Sequence, residues 1–140
     1  MKSHIVLRVV SKLLIPAIML YALYVQFHGD YGPGGGFQAG VIFAAGLILH
    51  GLIFGLDELE RALPLVVVEI GIALGTLLYG GVGVASMILG GEFLDYGELD
   101  HHAPVHGQHL GILLVELGVG ITVTFVMVAI FYAFAGRSRQ

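Results

Sequence analysis

The sequence has no cysteine and few charged residues, and each shortage excludes a class of protein. Without cysteine, the 140 residues can form no disulfide bond, no thiolate metal site and no cysteine nucleophile. Only 11% of the residues are charged, whereas a soluble domain has about a quarter, which it needs for a solvated surface. The chain has no run of like charge and no low-complexity tail, and 10% of its residues are aromatic, which excludes a disordered chain. A soluble enzyme is excluded as well.

Apolar residues make up 57% of the chain and form four long runs, at about 5–27, 37–56, 65–89 and 108–135. Each run is long enough to cross a hydrocarbon core of about 30 Å at ~1.5 Å per residue of helix. The runs are apolar on all sides rather than along one stripe, which argues against the buried helices of a soluble bundle. We therefore predict an all-α membrane protein, a single unit of four transmembrane helices over residues 1–140.

The basic residues predict the orientation of these helices. They precede or open the first run, separate the second from the third, or follow the fourth: Lys2, Arg8, Lys12, Arg61, Arg137 and Arg139. With four spans, all six fall on one side, and the positive-inside rule then predicts that both termini are cytoplasmic. No small-residue cleavage site follows the first run, so we expect it to be retained rather than removed as a signal peptide.

Glycine is concentrated in the loop between the first two runs. Residues 29–40 read Gly-Asp-Tyr-Gly-Pro-Gly-Gly-Gly-Phe-Gln-Ala-Gly, in which the proline disfavours helix before it and the glycines allow a tight turn. A phosphate-binding loop is not supported, since no strand precedes it and no Gly-Lys-Ser/Thr ends it. Irregular backbone at membrane depth needs surrounding protein. We therefore expect partner subunits to cover the turn formed by Pro33, Gly34, Gly35, Gly36 and Phe37.

Other glycines recur within the apolar runs at four-residue spacing, which lets membrane helices approach closely. The pairs are 36/40, 51/55, 71/75 and 107/111. Further glycines exceed what four helices need for one another, and we expect them to contact other subunits: Gly80, Gly81, Gly83, Gly118 and Gly120.

Two acidic residues, Glu69 and Glu116, lie inside apolar runs, where a charged carboxylate costs a few kcal/mol or more. Glu69 is roughly 6 Å from the predicted cytoplasmic end of its run and could snorkel or pair with Arg61. Glu116 is roughly 9 Å from the outer end, and helical steps place His109 and Thr124 on its face. These four residues, Glu116, Glu69, His109 and Thr124, are candidates for an ion or proton path. The alternative for Glu116 is a neutral acid hydrogen-bonded across a helix interface.

Other polar residues give weaker indications. Three of them near the run ends are interpreted as interface or capping residues: Gln26, His28 and His50. The 91–106 loop carries four acids and three histidines, and it either attracts cations or serves as a solvated connector. With His109, the histidines His101, His102 and His106 suggest a metal site. Their spacing is loose and no cysteine accompanies them, so we predict no metal and no cofactor.

Two segments resemble a known family. Residues 30–40, Asp-Tyr-Gly-Pro-Gly-Gly-Gly-Phe-Gln-Ala-Gly, are similar to the Pro-Gly-Gly-Gly-Phe segment of the B subunit of Mrp-type (multisubunit) Na⁺/H⁺ antiporters. Residues 110–120, Leu-Gly-Ile-Leu-Leu-Val-Glu-Leu-Gly-Val-Gly, resemble the segment that opens the last span of that subunit. The size, the four spans and the order of these features match over nearly the whole chain.

The resemblance implies a small subunit without catalytic activity, needed for assembly and transport in a complex that exchanges Na⁺ for H⁺. Its partners would be the other membrane subunits, the two transported ions and the lipid bilayer, with no nucleic acid. Pro33 and Phe37 match motif positions of the family, and Glu116 occupies its acidic position. Two alternatives stay open: a B-like subunit of a membrane-bound hydrogenase or ferredoxin-linked complex, and a stand-alone metal-binding membrane protein.

Overall fold

A computed structural model describes residues 5–29, 34–96 and 104–137 of the chain. Within these ranges the chain forms five helices, α1 (Ile5–Phe27), α2 (Gly36–Phe54), α3 (Leu56–Ala62), α4 (Leu65–Ile88) and α5 (Pro104–Arg137), and no strand. Among the described residues, α1, α2, α4 and the Gly107–Arg137 part of α5 are long and apolar enough to cross a membrane. The predicted all-helical class and its four apolar helices are confirmed, and the orientation of the termini stays a prediction.

The short helix α3 was not predicted from the sequence. It begins directly after Gly55, whose φ of 110° lies in the left-handed region that glycine adopts without strain. Asp57 and Glu58 lie in its first turn and Arg61 in its last, which is the charge order that the helix dipole favours. Leu59 is buried, so α3 closes one end of the bundle.

The four long helices lie side by side in the order α1, α2, α5, α4. Helix α2 packs against both α1 and α5, and α4 packs against α5, whereas α1 makes few contacts with α5. Near α3, the buried core consists of Leu59, Val68, Val128 and Tyr132. The hydroxyl of Tyr132 donates a hydrogen bond of 2.7 Å to the carbonyl of Leu63, which ties the end of α5 to the start of α4.

Glycines form the closest helix contacts, because a side chain at these positions would overlap the neighbouring backbone. A Cβ atom on Gly40 would lie 2.7 Å from the carbonyl oxygen of Gly120, where α2 meets α5. A Cβ atom on Gly75 would lie 2.8 Å from the carbonyl oxygen of Gly118, where α4 meets α5. The spacing of small residues therefore brings these backbones together, as it does in membrane helix pairs.

The expectation that the additional glycines contact other subunits is wrong for three of them. Gly83 lies against Phe93, Gly118 against Tyr79 and the α4 backbone, and Gly120 against Gln26 and the α2 backbone. Gly118 and Gly120 pack within the bundle because α5 approaches α4 and α2 closely, and Gly83 packs against the loop after α4. The glycine spacing in the sequence did not show these contacts. Gly80 and Gly81 differ, since a Cβ atom at either would meet no described atom within 4 Å.

The loop after α4 folds back on the helices that it connects. Its Phe93 ring packs against Gly83, and its Tyr96 ring packs against Gly111 of α5. Burial of the ring, with a smaller contribution from Tyr79, raises the pKa of Tyr96 above its ordinary value. This loop therefore packs against the last turns of α4 and the nearby part of α5.

Candidate functional site

Glu116 on α5 lies against the glycine-rich turn that joins α1 to α2. A Cβ atom on Gly29 would lie 2.7 Å from Oε2 of Glu116, and one on Gly35 would lie 3.2 Å from Oε1. Gly36, the first residue of α2, lies against the backbone carbonyl of Glu116. The half-buried carboxylate therefore lies at the N-terminal end of α2, where the helix dipole favours negative charge. Gly29 and Gly35 leave the space that this carboxylate occupies, and Gly36 allows the backbone of Glu116 to approach α2.

Gln26 of α1 is close to the same site and is almost fully buried, with 4% of its surface exposed. Its Oε1 atom lies beside Gly120, one helical turn along α5 from Glu116. Its Nε2 atom is buried and has no hydrogen-bond acceptor within the described part of the chain. Buried amides are normally hydrogen-bonded, often to an ordered water molecule, so this donor is suited to bind one. The position of Gln26 near a run end predicted only an interface or capping residue, since a sequence pattern does not show that a side chain is buried by tertiary packing.

Thr124 completes the polar contacts between α2 and α5. Its buried hydroxyl donates to the carbonyl of Gly40 at 3.2 Å and to the carbonyl of Gly120 at 2.8 Å. The first of these bonds joins two helices, and the second stays within α5. Thr124 therefore lies on the face of α5 that Glu116 also presents to α2, as the helical spacing predicted, and its hydroxyl proton is held by backbone carbonyls.

The depth of Glu116 follows from the lengths of the helices around it. The backbone of Tyr79 on α4 lies beside Gly118, since a Cβ atom on Gly118 would be 3.0 Å from the amide nitrogen of Tyr79. Helix α4 continues for nine more residues to Ile88, a length of about 14 Å. Along the bundle axis, the turn that covers Glu116 therefore does not reach as far as the end of α4. Glu116 lies within Gly107–Arg137, the part of α5 that is long and apolar enough to cross a membrane.

The structure does not bring Glu69 and His109 to this site. Glu69 is exposed on α4, two residues from Gly71, which packs against Phe125 of α5. Nine residues separate Phe125 from Glu116, a distance of about 14 Å along the helix. His109 is exposed on α5 about 10 Å before Glu116 by the same measure. Among the described residues, the ion pair of Arg61 is with Glu58 at 3.5 Å rather than with Glu69.

The predicted turn is described from Gly34 onward, and Pro33 lies outside the described residues. Gly35 and Gly36 are buried and face Glu116, whereas Phe37 has 61% of its surface exposed. The turn therefore has an inner side that packs within the chain and an outer side that carries an aromatic ring. The predicted docking of partner subunits would therefore use the exposed side of the turn, which carries Phe37, rather than the buried glycines.

Two predictions about the histidine-rich loop fall largely outside the described side chains. His101 and His102 lie outside the described residues, and the side chain of His106 is likewise not described. Within the described part of the chain, no group of three or more His, Asp or Glu side chains is close enough to hold a metal ion. The prediction that the chain binds no metal stays a prediction.

Comparison with known proteins identifies the family of this arrangement. A family model described as a domain related to the MnhB subunit of Na⁺/H⁺ antiporters matches residues 6–129. That range covers α1 to α4, the glycine turn and most of α5, including Glu116.

Individual relatives agree with the family match. Proteins of Staphylococcus aureus (strain Newman) and Staphylococcus haemolyticus (strain JCSC1435) that carry the name antiporter subunit mnhB2 are each 34% identical to this chain over 137 residues. The matched region covers 96% of this chain and 96% of each relative. Together with the four apolar helices, these matches identify a multi-pass membrane protein.

Proposed function

This chain belongs to the family of MnhB subunits of Na⁺/H⁺ antiporters, and on that premise we propose that it is a non-catalytic subunit of a multisubunit antiporter. The complex exchanges Na⁺, or another monovalent cation, for H⁺ across the plasma membrane. Its other membrane subunits are the partners of this chain, and both termini face the cytoplasm. Membership in the family, over 96% of the chain, is the observation that supports this class of function.

We further propose that Glu116 contributes to an ion or proton path. The support is the position of its carboxylate, which lies at membrane depth against glycines 29 and 35, and the buried amide of Gln26, which lies beside Gly120 one helical turn along α5. Ionisable residues at such depth are costly and commonly mark ion or proton pathways. A carboxylate can bind a proton or a monovalent cation, and the Gln26 donor can hold a water molecule beside it.

Replacing Glu116 with glutamine tests this path, because an amide has a similar volume but neither takes up a proton nor carries negative charge. We expect the E116Q complex to assemble normally and to lose at least about tenfold in Na⁺/H⁺ exchange, measured in inverted membrane vesicles. The matched control is E69Q, which makes the same chemical change at the exposed acid of α4. Its exchange rate is expected to stay within about twofold of that of the unmodified complex.

Three results would contradict the path. Normal exchange by E116Q would remove Glu116 from the mechanism, and equal loss in E116Q and E69Q would point to a general effect of intramembrane charge. Loss of the complex itself in E116Q would give the carboxylate a structural role instead. Subunit recovery from detergent extracts distinguishes this last case from a transport defect.

The outer side of the glycine turn supports a role in assembly. Phe37 is exposed at the start of α2, next to glycines that are buried within the chain. Aromatic side chains are enriched at the centre of protein interfaces because they bury a large area at low entropic cost. We therefore propose that Phe37 inserts into a partner subunit. A substitution of Gly35 would not test this contact with a partner, because a larger residue there would press on the Glu116 side chain within the chain.

Replacing Phe37 with alanine is expected to lower the recovery of partner subunits with this chain by about tenfold or more, since a buried aromatic anchor is commonly worth at least ~2 kcal/mol. The matched control is L77A, which truncates a residue of α4 that is 68% exposed. Recovery is measured by affinity purification of this chain followed by quantification of the other subunits. Equal recovery with F37A and L77A would contradict the proposed contact.

A further inference from the structure

A cavity of about 660 Å³ opens at the end of the bundle where α1 begins and α2 ends. Three basic residues line it, Arg8 and Lys12 from α1 and Arg61 from α3. The guanidinium carbon of Arg8 lies 5.3 Å from the centre of the Phe54 ring, a cation–π contact that holds this side chain at the cavity wall. The cavity therefore presents positively charged groups at the end of the membrane-length helices.

Acidic residues also line this cavity, so the balance of charge has to be considered. Asp57 and Glu58 of α3 contribute to the wall, and Glu58 pairs with Arg61 at 3.5 Å on the exposed surface. Arg8 and Lys12 of α1 line the same cavity. Three basic groups against two acidic ones leave the cavity with a net positive charge, and that charge is concentrated on α1.

An apolar groove of about 420 Å³ adjoins the basic cavity, and the two share Ile15 and His50 as wall residues. The groove exists because α1 and α5 both pack on α2 but scarcely touch each other. Along α2 it extends from His50 to Ala39, which is about 16 Å of helix, or half of a hydrocarbon core of about 30 Å. The groove therefore has the depth of one membrane leaflet.

We propose that the cavity and the groove together bind one anionic phospholipid. Its phosphate lies between Arg8 and Lys12, and one acyl chain follows the groove along α2 towards Gln26. Charge complementarity selects an anionic headgroup, since basic pockets between membrane helices bind such headgroups. The leaflet-deep apolar groove selects a lipid over a free phosphate ion, because a free ion would use the basic cavity alone. The basic cavity lies at the opposite end of α2 from Glu116, whereas the inner end of the groove reaches Gln26 and Thr124 beside the Glu116 site. The proposed headgroup contacts therefore involve none of the residues of the proposed path.

The sequence contains no tryptophan, so one introduced tryptophan reports on a single position. F43W places the reporter in the groove wall, and L74W places it on the exposed surface of α4, where Leu74 is 59% exposed. The full chain carrying either change is reconstituted in vesicles that contain a small fraction of phosphatidylglycerol or phosphatidylcholine with brominated acyl chains. We expect the F43W fluorescence to be half-quenched at about a fivefold lower fraction of the anionic lipid, whereas both lipids quench L74W equally.

Adding R8Q to F43W is expected to abolish this preference, since one basic residue near an anionic headgroup changes its affinity by about fivefold. Adding R137Q instead is the matched control, because it removes one basic charge at the far end of α5, outside both cavities. Circular dichroism verifies that each variant has the same helix content. In the purified complex, native mass spectrometry is expected to detect one anionic phospholipid fewer with R8Q than with R137Q.

Four results would overturn the proposal. The first is equal quenching of F43W by the two lipids, and the second is a preference for the anionic lipid that survives R8Q. The third is a preference that soluble glycerol phosphate removes, which would show a site for a free anion. The fourth is protection of F43W from both brominated lipids, which would show that protein rather than lipid fills the groove.

Discussion

The two acidic residues within the membrane-length helices have opposite surroundings. Glu116 is half-buried and lies against three glycines of the α1–α2 turn, at the N-terminal end of α2. Glu69 is exposed on α4, on a surface where its neighbours Leu65, Val66 and Ile70 are exposed as well. The same residue type is thus accommodated within the chain in one case and presented outward in the other.

This difference shows which carboxylate the chain can position by itself. The location of Glu116 is fixed by contacts within the chain, because glycines of the α1–α2 turn and of the start of α2 pack against it. A carboxylate exposed to lipid costs a few kcal/mol at membrane depth, although less near the interface, where it can snorkel. We therefore expect Glu69 to lie at the membrane surface or against a partner subunit. Three substitutions test this contrast, beginning with the one of largest expected effect.

Replacing Gly36 with alanine should disrupt the surroundings of Glu116 most strongly. The added methyl group would overlap the backbone carbonyl of Glu116, and backbone cannot move aside as easily as a flexible side chain. Overpacking of this kind costs about 1–3 kcal/mol. We expect a lower thermal unfolding temperature for the purified chain and poor recovery of the complex.

The control for this substitution is G80A, which adds the same methyl group to a helix at a position with no described atom within 4 Å. Alanine is the better helix former by up to ~1 kcal/mol, so the unfolding temperature should stay equal or rise slightly. If G36A were as stable as G80A, the close contact between the turn and Glu116 would be contradicted.

Replacing Thr124 with valine tests the contact that holds α2 beside the Glu116 face of α5. Valine keeps the shape of threonine but removes the hydroxyl that bonds to Gly40 and Gly120. The expected loss is about 1 kcal/mol, typical of a hydrogen bond between membrane helices. It is measured as reduced stability of the chain in a denaturant titration.

Thr76 supplies the matched control, because its hydroxyl bonds only within its own helix, to the carbonyl of Ile72 at 2.8 Å, on an exposed surface. T76V should therefore change stability less than T124V. Equal effects would show that the bond from Thr124 to Gly40 adds nothing to the α2–α5 contact.

Replacing Glu69 with leucine should have the smallest effect of the three substitutions. This effect should appear only in the complex. The unfolding temperature of the isolated chain should not fall, since Glu69 is exposed there. Recovery of partner subunits should decrease by about threefold if one hydrogen bond worth ~0.6 kcal/mol is lost at an interface. A destabilised isolated chain would contradict the outward position of Glu69.

The sequence was sufficient to predict the parts of this molecule that depend on local composition. Long, nearly uncharged apolar runs predicted the four apolar helices, and the motif around Pro33 and Glu116 predicted the family that the comparisons identify. Helix α3 was not predicted, since its seven residues have a helical charge order but too short an apolar pattern to stand out.

The environment of individual side chains could not be predicted from the sequence. Gln26 became a candidate only when its burial and its unpaired donor were known, because both depend on how α1 meets α5. Glu69 and Glu116 have similar neighbours along the chain, and only the packing of α5 against the turn separates them. Helical spacing placed Thr124 on the face of Glu116 but could not reveal its bond to α2.

The unequal heights of the helices have an electrical consequence. Helix α4 ends about 11 Å beyond the level of Glu116, because Tyr79 lies beside Gly118 and Glu116 is two residues closer to the α4 end, whereas the turn between α1 and α2 ends near Glu116. An ion that reaches Glu116 from that side would pass through about a third of the hydrocarbon core, and so through a similar fraction of the membrane potential. Crossing the full potential is worth ~2.3 kcal/mol per charge at 100 mV, so this step would contribute about 0.8 kcal/mol. Occupancy of Glu116 should therefore depend weakly but measurably on voltage.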